Sequence, residues 1–162
     1  MAVFLGIDPG LLTIGFGVVE GERDDYKFVD CGVIKTSPAD SLAERLAMIQ
    51  KDLADLIKTF HPVAVGVEEL FFAKNVTNAI KVAHARGVIL LEAARAGLPV
   101  LEFTPLQVKS NICGYGKAEK QQMQSMIQKT LGLSRVPKPD DAADALGVAL
   151  CTARVFVSRQ KI

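Results

Sequence analysis

Four acidic side chains stand where apolar segments of the sequence begin or end. They are Asp8 and Glu68, which end short apolar runs, and Asp141 and Asp144, which open a long one. A carboxylate drawn toward a dry interior is costly, so it normally neutralises, pairs with a cation or coordinates a metal. Oxygen ligands gathered from separate segments are what Mg²⁺ and Mn²⁺ prefer. The set therefore predicts a metal-dependent enzyme of phosphate chemistry.

The spacing of these acids indicates how they could meet. Asp8 and Glu68 end predicted strands, and strand ends border the clefts of open α/β sheets, so the two meet if their strands are neighbours. Asp141 and Asp144 are three residues apart on a helix and share a core-facing side, where they repel without a cation between them. A divalent pair bridged by such acids polarises a phosphodiester and activates water. Asp140 is most simply an N-cap or first-turn acid, and Asp141 fits the same interpretation equally well.

The spacing of apolar residues predicts the elements that must position these acids. Strands are predicted over residues 3–7, 15–19, 26–34, 63–67 and 99–103. The first three have brief connections and should form an antiparallel meander. Helices are predicted over residues 41–60, 76–96 with an interruption allowed at Gly87, 106–112, 118–131 and 140–154. This order favours an α/β fold with a mixed sheet whose later strands are joined by helical crossovers.

Length and composition place the chain among ordinary globular proteins. It has 162 residues, of which 49% are hydrophobic and 23% charged. This length favours one domain, taken as residues 1–154, with a C-terminal tail over 155–162. The apolar runs are too short or too interrupted for a signal sequence or a membrane span, so we expect a cytoplasmic protein. Cys31, Cys113 and Cys151 are widely spaced, which argues against a disulfide framework or a zinc site and favours buried thiols.

Charge is unevenly distributed along the chain. Residues 1–70 carry six Lys and Arg against twelve Asp and Glu, a net charge of −6, whereas residues 71–139 carry ten against three, a net charge of +7. A basic segment beside acidic ones suits an enzyme that grips a polyanion with one surface and holds metal ions with another. A solvated, lysine-rich helical face explains the same pattern about as well, so charge alone leaves nucleic acid undecided.

The acids belong to longer motifs that follow one another along the chain. The motifs are Gly6-Ile7-Asp8-Pro9-Gly10, Glu68 with Phe71-Phe72-Ala73-Lys74-Asn75, Ala85-Arg86-Gly87, Gln107-Val108-Lys109, Gly114-Tyr115-Gly116-Lys117-Ala118-Glu119-Lys120 and Asp141-Ala142-Ala143-Asp144-Ala145-Leu146. In this order they closely resemble the RuvC family of Holliday-junction resolvases. The resemblance covers about residues 2–153.

The resemblance implies an RNase H-like fold and a specific reaction. The fold is a mixed five-stranded sheet flanked by helices, with the first three strands antiparallel and the later ones parallel. The implied activity is symmetric, Mg²⁺-dependent hydrolytic nicking of four-way DNA junctions by a homodimer in the bacterial cytoplasm. A pair of Mg²⁺ ions per site, replaceable by Mn²⁺, and contact with the RuvA–RuvB branch-migration complex are further implications. The family's four metal carboxylates map onto Asp8, Glu68, Asp141 and Asp144.

The family's DNA contacts also map onto this chain. Its basic residues near the scissile phosphate correspond to Lys109 and Lys120, so Lys120 is assigned to catalysis beside the four acids. Its aromatic residue at the opened junction centre corresponds to Phe71, where a ring can stack on an unpaired base. DNA binding is expected from a wider set of aromatic and basic residues, namely Phe71, Phe72, Lys74, Arg86, Lys109, Tyr115, Lys117 and Lys120.

Two residues depart from the family pattern. Leu11 stands where Ser or Thr usually follows the Asp-Pro-Gly motif, and Ile14 replaces a frequent Thr, which bears on a local hydroxyl contact to phosphate or metal. Two alternatives remain open at this stage, a nuclease of the same fold that acts on RNA and a non-catalytic junction-binding protein. Actin-like ATPases share a related fold and an acidic glycine turn, but they need a duplicated domain that 162 residues do not provide.

Overall fold

A five-stranded sheet with helices on both faces makes up the described part of the chain. The computed structural model describes residues 1–69 and 75–160. Its strands are β1 Ala2–Asp8, β2 Thr13–Glu22, β3 Asp25–Lys35, β4 Ala64–Glu68 and β5 Val100–Phe103. Its helices are α1 Leu42–Phe60, α2 Val76–Arg95, α3 Pro105–Cys113, α4 Lys120–Thr130 and α5 Asp140–Arg159.

The strand order of the sheet is β3-β2-β1-β4-β5. β1, β2 and β3 pair antiparallel, whereas β4 pairs parallel with both β1 and β5. The predicted meander and the predicted parallel later strands are therefore confirmed. β4 is apolar up to its last residue because it is a central strand covered on both faces, where Ala64 on one face and Val65 on the other are fully buried.

Two hydrophobic cores lie on opposite faces of the sheet. Successive residues of a strand point to opposite faces, so Phe4 enters the core beneath α3, α4 and α5, whereas Leu5 enters the core beneath α1 and α2. α1 contributes Ile49 and Leu53 to the second core. The apolar stripe of each helix and the alternation of each strand therefore agree on one arrangement of layers.

A row of glycines across three strands lets α5 lie unusually close to the sheet. Gly6 of β1 is paired with Gly17 of β2 on one side and with Gly66 of β4 on the other. A Cβ atom at Gly6 would collide with the backbone of Ala149, and one at Gly66 would collide with the side chain of Thr152. The small residues of both elements therefore set the depth at which α5 packs.

Two helices are more continuous than the sequence pattern indicates. α2 runs through Gly87 without the interruption that the sequence allowed. α5 continues to Arg159, past its predicted end at residue 154. Phe156 packs edge to face against Phe4, with ring centroids 5.6 Å apart, and this apolar contact explains why the helix continues past residue 154.

None of the helices within 1–69 and 75–160 is long and apolar enough to cross a membrane.

The three cysteines differ in burial. Cys151 is buried as expected, but Cys31 and Cys113 are only half-buried, and all three are free thiols. The prediction that all three would be buried is therefore wrong for two of them, because β3 is an edge strand and α3 ends at Cys113.

Candidate active site

The two strand-end acids lie side by side. Ile7 of β1 is in parallel register with Val67 of β4, so Asp8 and Glu68 follow at adjacent strand ends. Their carboxyl groups are close enough to form a hydrogen bond when Asp8 carries a proton. The predicted meeting of Asp8 and Glu68 at the edge of the sheet is therefore confirmed.

The first two turns of α5 bring the other two acids to the same place. Gly15 of β2 is paired with Asp8, and a Cβ atom at Gly15 would collide with the backbone carbonyl of Asp141. Because Gly15 has no side chain, the helix start can approach Asp8 directly. Asp8, Asp141 and Asp144 each offer a carboxylate oxygen, and these three atoms lie within 4.8 Å of one another. The helix and strand acids thus form one cluster.

Burial and mutual repulsion disfavour the charged forms of these acids. Burial, followed by the neighbouring Glu68 and Asp144 carboxylates, raises the pKa of Asp8 to about 9. Burial also raises the pKa of Glu68 and the pKa of Asp144 above their ordinary values. A divalent cation would reverse this effect, because it binds the ionised form. Carboxylate oxygens clustered from one strand and one helix, with Glu68 beside Asp8, fit a hard ion such as Mg²⁺ or Mn²⁺.

Two lysines share a cleft with the acids. The cleft has a volume of about 170 Å³ and is lined by Glu68, Pro105, Lys109, Lys120, Met123 and Asp144. Lys120 Nζ lies 4.0 Å from Asp144 Oδ2, and the charge of Lys109 opposes the rise in the pKa of Glu68. Cations therefore border the acid cluster at the position where an anionic substrate would enter.

Asp140 has a contact that the sequence pattern did not indicate. Pro139 occupies the N-cap position of α5, so Asp140 is a first-turn acid and not the cap. Its Oδ2 atom accepts a hydrogen bond from Lys120 Nζ at 3.0 Å, and its Oδ1 atom accepts one from Gln124 at 3.3 Å. The bond to Asp140 is the main cause of the raised pKa of Lys120. Asp140 therefore helps to hold Lys120 beside the acids.

Arg86 contacts the sheet edge and not open solvent. Its side chain is 18% exposed and forms an ion pair with Glu102 of β5. Its Nε atom donates to the backbone carbonyl of Glu68 at 3.4 Å. These contacts tie α2 to the ends of β4 and β5, directly behind the Glu68 carboxylate. Contact between Arg86 and DNA stays a prediction.

Buried side chains and a hydrogen bond to its backbone fix the segment that follows Asp8. Leu11 and Ile14 are buried in the core beneath α1 and α2, which explains apolar residues at these two positions. Thr36 donates from its hydroxyl to the carbonyl of Leu11 at 2.5 Å and accepts from Arg45 Nε at 2.9 Å. These contacts anchor the turn that follows β1. Thr36 and Arg45 lie too far from Asp8 in sequence for a local motif to reveal them.

The remaining predicted DNA contacts fall into two groups. Tyr115 and Lys117 are exposed in the connection between α3 and α4, which begins at Gly114 with a φ of 86°. Phe71, Phe72 and Lys74 lie outside the described residues, so their positions relative to the cleft stay predictions.

Comparison with known proteins identifies related sequences along nearly the whole chain. The family described as crossover junction endodeoxyribonuclease RuvC matches residues 4–152. A protein of that name from Roseiflexus sp. is 53% identical over 147 residues, covering 91% of this chain and 88% of the relative. Another from Natranaerobius thermophilus is 43% identical and covers 99% of each chain.

Solved structures share the architecture. RuvC of Thermus thermophilus in complex with Holliday junction substrate aligns with a TM-score of 0.93 and 37% sequence identity, covering 98% of this chain and 97% of that chain. The yeast mitochondrial Holliday junction resolvase aligns with a TM-score of 0.68 at 16% identity, which supports the fold alone. The predicted RNase H-like architecture, with its mixed five-stranded sheet, is confirmed.

Proposed function

This chain belongs to the RuvC family of crossover junction endodeoxyribonucleases, and we propose that it resolves four-way DNA junctions through a Mg²⁺ site formed by Asp8, Glu68, Asp141 and Asp144. As a family member it is a nuclease that acts in DNA recombination. The proposal adds the residues that bind the metal, the identity of the metal and the manner of cutting.

The clustering of Asp8, Asp141 and Asp144 within 4.8 Å carries this proposal. A fold that brings three carboxylates together, and raises the pKa of Asp8 to about 9, disfavours their ionised forms unless a cation binds them. Glu68 stands beside Asp8 and lines the adjoining cleft, so it can supply a fourth ligand. The bound cations would activate water, polarise the phosphodiester and stabilise the leaving oxygen.

The lysines of the cleft act on the substrate. Lys109 and Lys120 line the same cleft as Glu68 and Asp144, so both can approach a phosphate placed over the acids. An ammonium group at this position stabilises the extra negative charge that develops on the phosphate oxygens in the transition state. Asp140 restrains Lys120, which reduces the conformational freedom that Lys120 gives up when the substrate binds.

Cleavage of a panel of labelled substrates tests the proposal. The panel contains a mobile four-way junction, duplex DNA, single-stranded DNA and an RNA–DNA hybrid, each with Mg²⁺, with Mn²⁺ and with a chelator. We expect paired nicks in the junction with either metal and no cutting with the chelator. Preferred cutting of the hybrid would instead favour an RNA-directed nuclease. Tight junction binding without any cutting would favour a non-catalytic binding protein.

A homodimer would supply the two active sites that paired nicks need. The surface of α2 supports this proposal, because Val76, Ile80 and Leu91 are exposed there and lie on one side of the helix. Gly87 lies on the same side, and no other element of the described residues comes within 4 Å of where its Cβ would be, so a second helix could approach closely. Exposed apolar surface of this kind marks protein contacts.

The mass of the protein in solution tests the dimer. We expect Ile80→Glu to produce monomers that bind metal but do not make paired nicks. Leu42→Glu is the matched control, since Leu42 is also an exposed apolar residue but lies at the start of α1. A dimer that survives Ile80→Glu would exclude this face of α2. Contact with RuvA–RuvB and a cytoplasmic location are further proposals that rest on family membership alone.

A further inference from the structure

A second groove lies next to the start of α5. It consists of a hollow of about 310 Å³ between β3 and the connection from α4 to α5, and an adjoining hollow of about 450 Å³ lined by residues of that connection. The hollow of about 310 Å³ is lined by Phe28, Cys31, Leu133, Ser134, Arg135, Pro137 and Lys138. Arg135 and Lys138 line both hollows. These two cations therefore dominate the chemistry of the groove.

The groove is positively charged, because its two cations form no ion pair among the described residues. Arg135 and Lys138 are exposed, and neither forms an ion pair with another residue in the ranges 1–69 and 75–160. Asp140 follows Lys138 closely in sequence and attracts its charge, but the Asp140 carboxylate forms its ion pair with Lys120. Asp30 lies beside the groove without lining it, and its carboxylate accepts a hydrogen bond from the backbone of Cys31. The groove is therefore basic, with an apolar floor.

The groove adjoins the start of the helix that carries Asp141. Its wall from 133 to 138 leads through Pro139 directly into α5, which carries Asp141. Its floor includes Cys31, which is paired with Gly17, two residues along β2 from the Gly15 that contacts Asp141. The groove therefore adjoins the part of the fold that carries Asp141, where a polyanion bound at the acids could also reach it.

We infer that this groove binds the sugar–phosphate backbone of the duplex arm that leads away from the cut. The inference rests on the proposed function of the acid cluster. Arg and Lys are the side chains that most often contact backbone phosphates, and an apolar floor suits the sugar faces between them. Ser134 is the other polar side chain in the lining, so the groove has few groups that could recognise a specific small molecule. A polyanion with repeating phosphates can be bound by these two cations without further specific groups.

The salt dependence of junction binding tests the inference. Binding of a long-armed junction is measured against salt concentration for the wild type, for Arg135→Ala/Lys138→Ala and for Lys51→Ala/Lys58→Ala. The second pair is the matched control, because it removes the same charge from the exposed side of α1, on the opposite face of the sheet. We expect the slope of log K against log salt to fall by about one unit for each phosphate that the groove variant no longer neutralises. The control should keep the wild-type slope.

Two further measurements separate the arm from the centre of the junction. With a junction whose arms are trimmed, the groove variant and the wild type should bind equally well. At saturating substrate the groove variant should cut at the wild-type rate, since Arg135 and Lys138 do not touch the reacting atoms. An unchanged slope with the long-armed junction, or binding weakened by the same factor when the arms are trimmed, would overturn the inference. Failure of the wild type to cut any junction would instead refute the proposed function.

Discussion

The Asp8 carboxyl is stable in the folded chain only when it holds a proton or lies beside a cation. Burial and the neighbouring carboxylates raise its pKa from 3.8 to about 9. The folded chain therefore binds more protons than the unfolded chain between these values. Stability is greatest below the lower value and is lost as the pH rises through the upper one. Metal binding opposes this decrease, because the cation takes the place of the proton.

Thermal unfolding across the pH range tests this behaviour. For metal-free protein we expect the unfolding temperature to fall as the pH rises from about 4 to about 9, and Asp8→Asn to flatten that decrease. At neutral pH the variant should be more stable by about 1 kcal/mol or more, since one pKa unit corresponds to about 1.4 kcal/mol. Added Mg²⁺ should stabilise the wild type most at the alkaline end. A wild-type profile as flat as that of Asp8→Asn would show that Asp8 ionises normally.

The Lys120–Asp140 pair makes a second prediction at this scale. We expect Lys120→Ala to slow cleavage by about 100-fold, as removal of one transition-state donor does. Asp140→Asn should slow cleavage less, because Lys120 keeps its charge and loses only its 3.0 Å ion pair with Asp140. If Asp140 acts through Lys120, the double variant should cleave no more slowly than Lys120→Ala alone. Fully additive effects in this double-mutant cycle would assign Asp140 an independent role.

Among the elements, α5 determines the geometry of the site through its distance from the sheet. It carries Asp141 and Asp144, and its distance from the sheet is set by its close approach to Gly6 and Gly66. A side chain at Gly6 would meet the backbone of α5 and push the helix outward, and one at Gly66 would do the same unless the Thr152 side chain is shortened. Outward movement would separate the helix acids from Asp8 and Glu68, so sheet packing and metal binding are linked through α5.

A pair of alanine substitutions tests this link. At Gly66 the added Cβ collides with Thr152 Oγ1, whereas Thr152 Cβ and Val148 Cγ1 lie at 3.1 Å. We expect Gly66→Ala to cost about 1–3 kcal/mol of stability, as overpacking usually does, and Thr152→Ala to restore much of it. Gly6→Ala should have no such rescue, because it collides with the backbone of Ala145 and Ala149. Chemical unfolding gives each value, and equal stability of Gly66→Ala and wild type would refute the close contact.

Local patterns were sufficient to predict most elements but not how α5 ends or packs. Alternation and helical spacing depend on neighbouring residues, so all five strands and all five helices were predicted at nearly their observed positions. The extension of α5 depends on Phe156 meeting Phe4, and the two residues are at opposite ends of the sequence. The glycine row likewise depends on strand register, which the pattern of a single strand does not give.

At the scale of the whole molecule, opposite charges that are separate in sequence meet at one end of the sheet. The acids come from the acidic first segment and from α5, whereas Lys109 and Lys120 come from the basic middle segment. The acids could be predicted because each ends or opens an apolar run. The contact of Lys120 with Asp140 and Asp144 could not, since it depends on how α4 lies against α5. The groove at Arg135 and Lys138 likewise exists only in the folded chain.

Parallel measurement of junction cleavage and junction binding tests the central claim most directly. Wild type is compared with Asp8→Asn, Glu68→Gln, Asp141→Asn and Asp144→Asn at saturating Mg²⁺. We predict that each variant fails to cleave but still binds the junction as tightly as wild type or more tightly, because a metal ligand and a negative charge are removed while the basic side chains remain. Near-normal cleavage by any one variant would remove that residue from the metal site, and near-normal cleavage by all four would contradict the account.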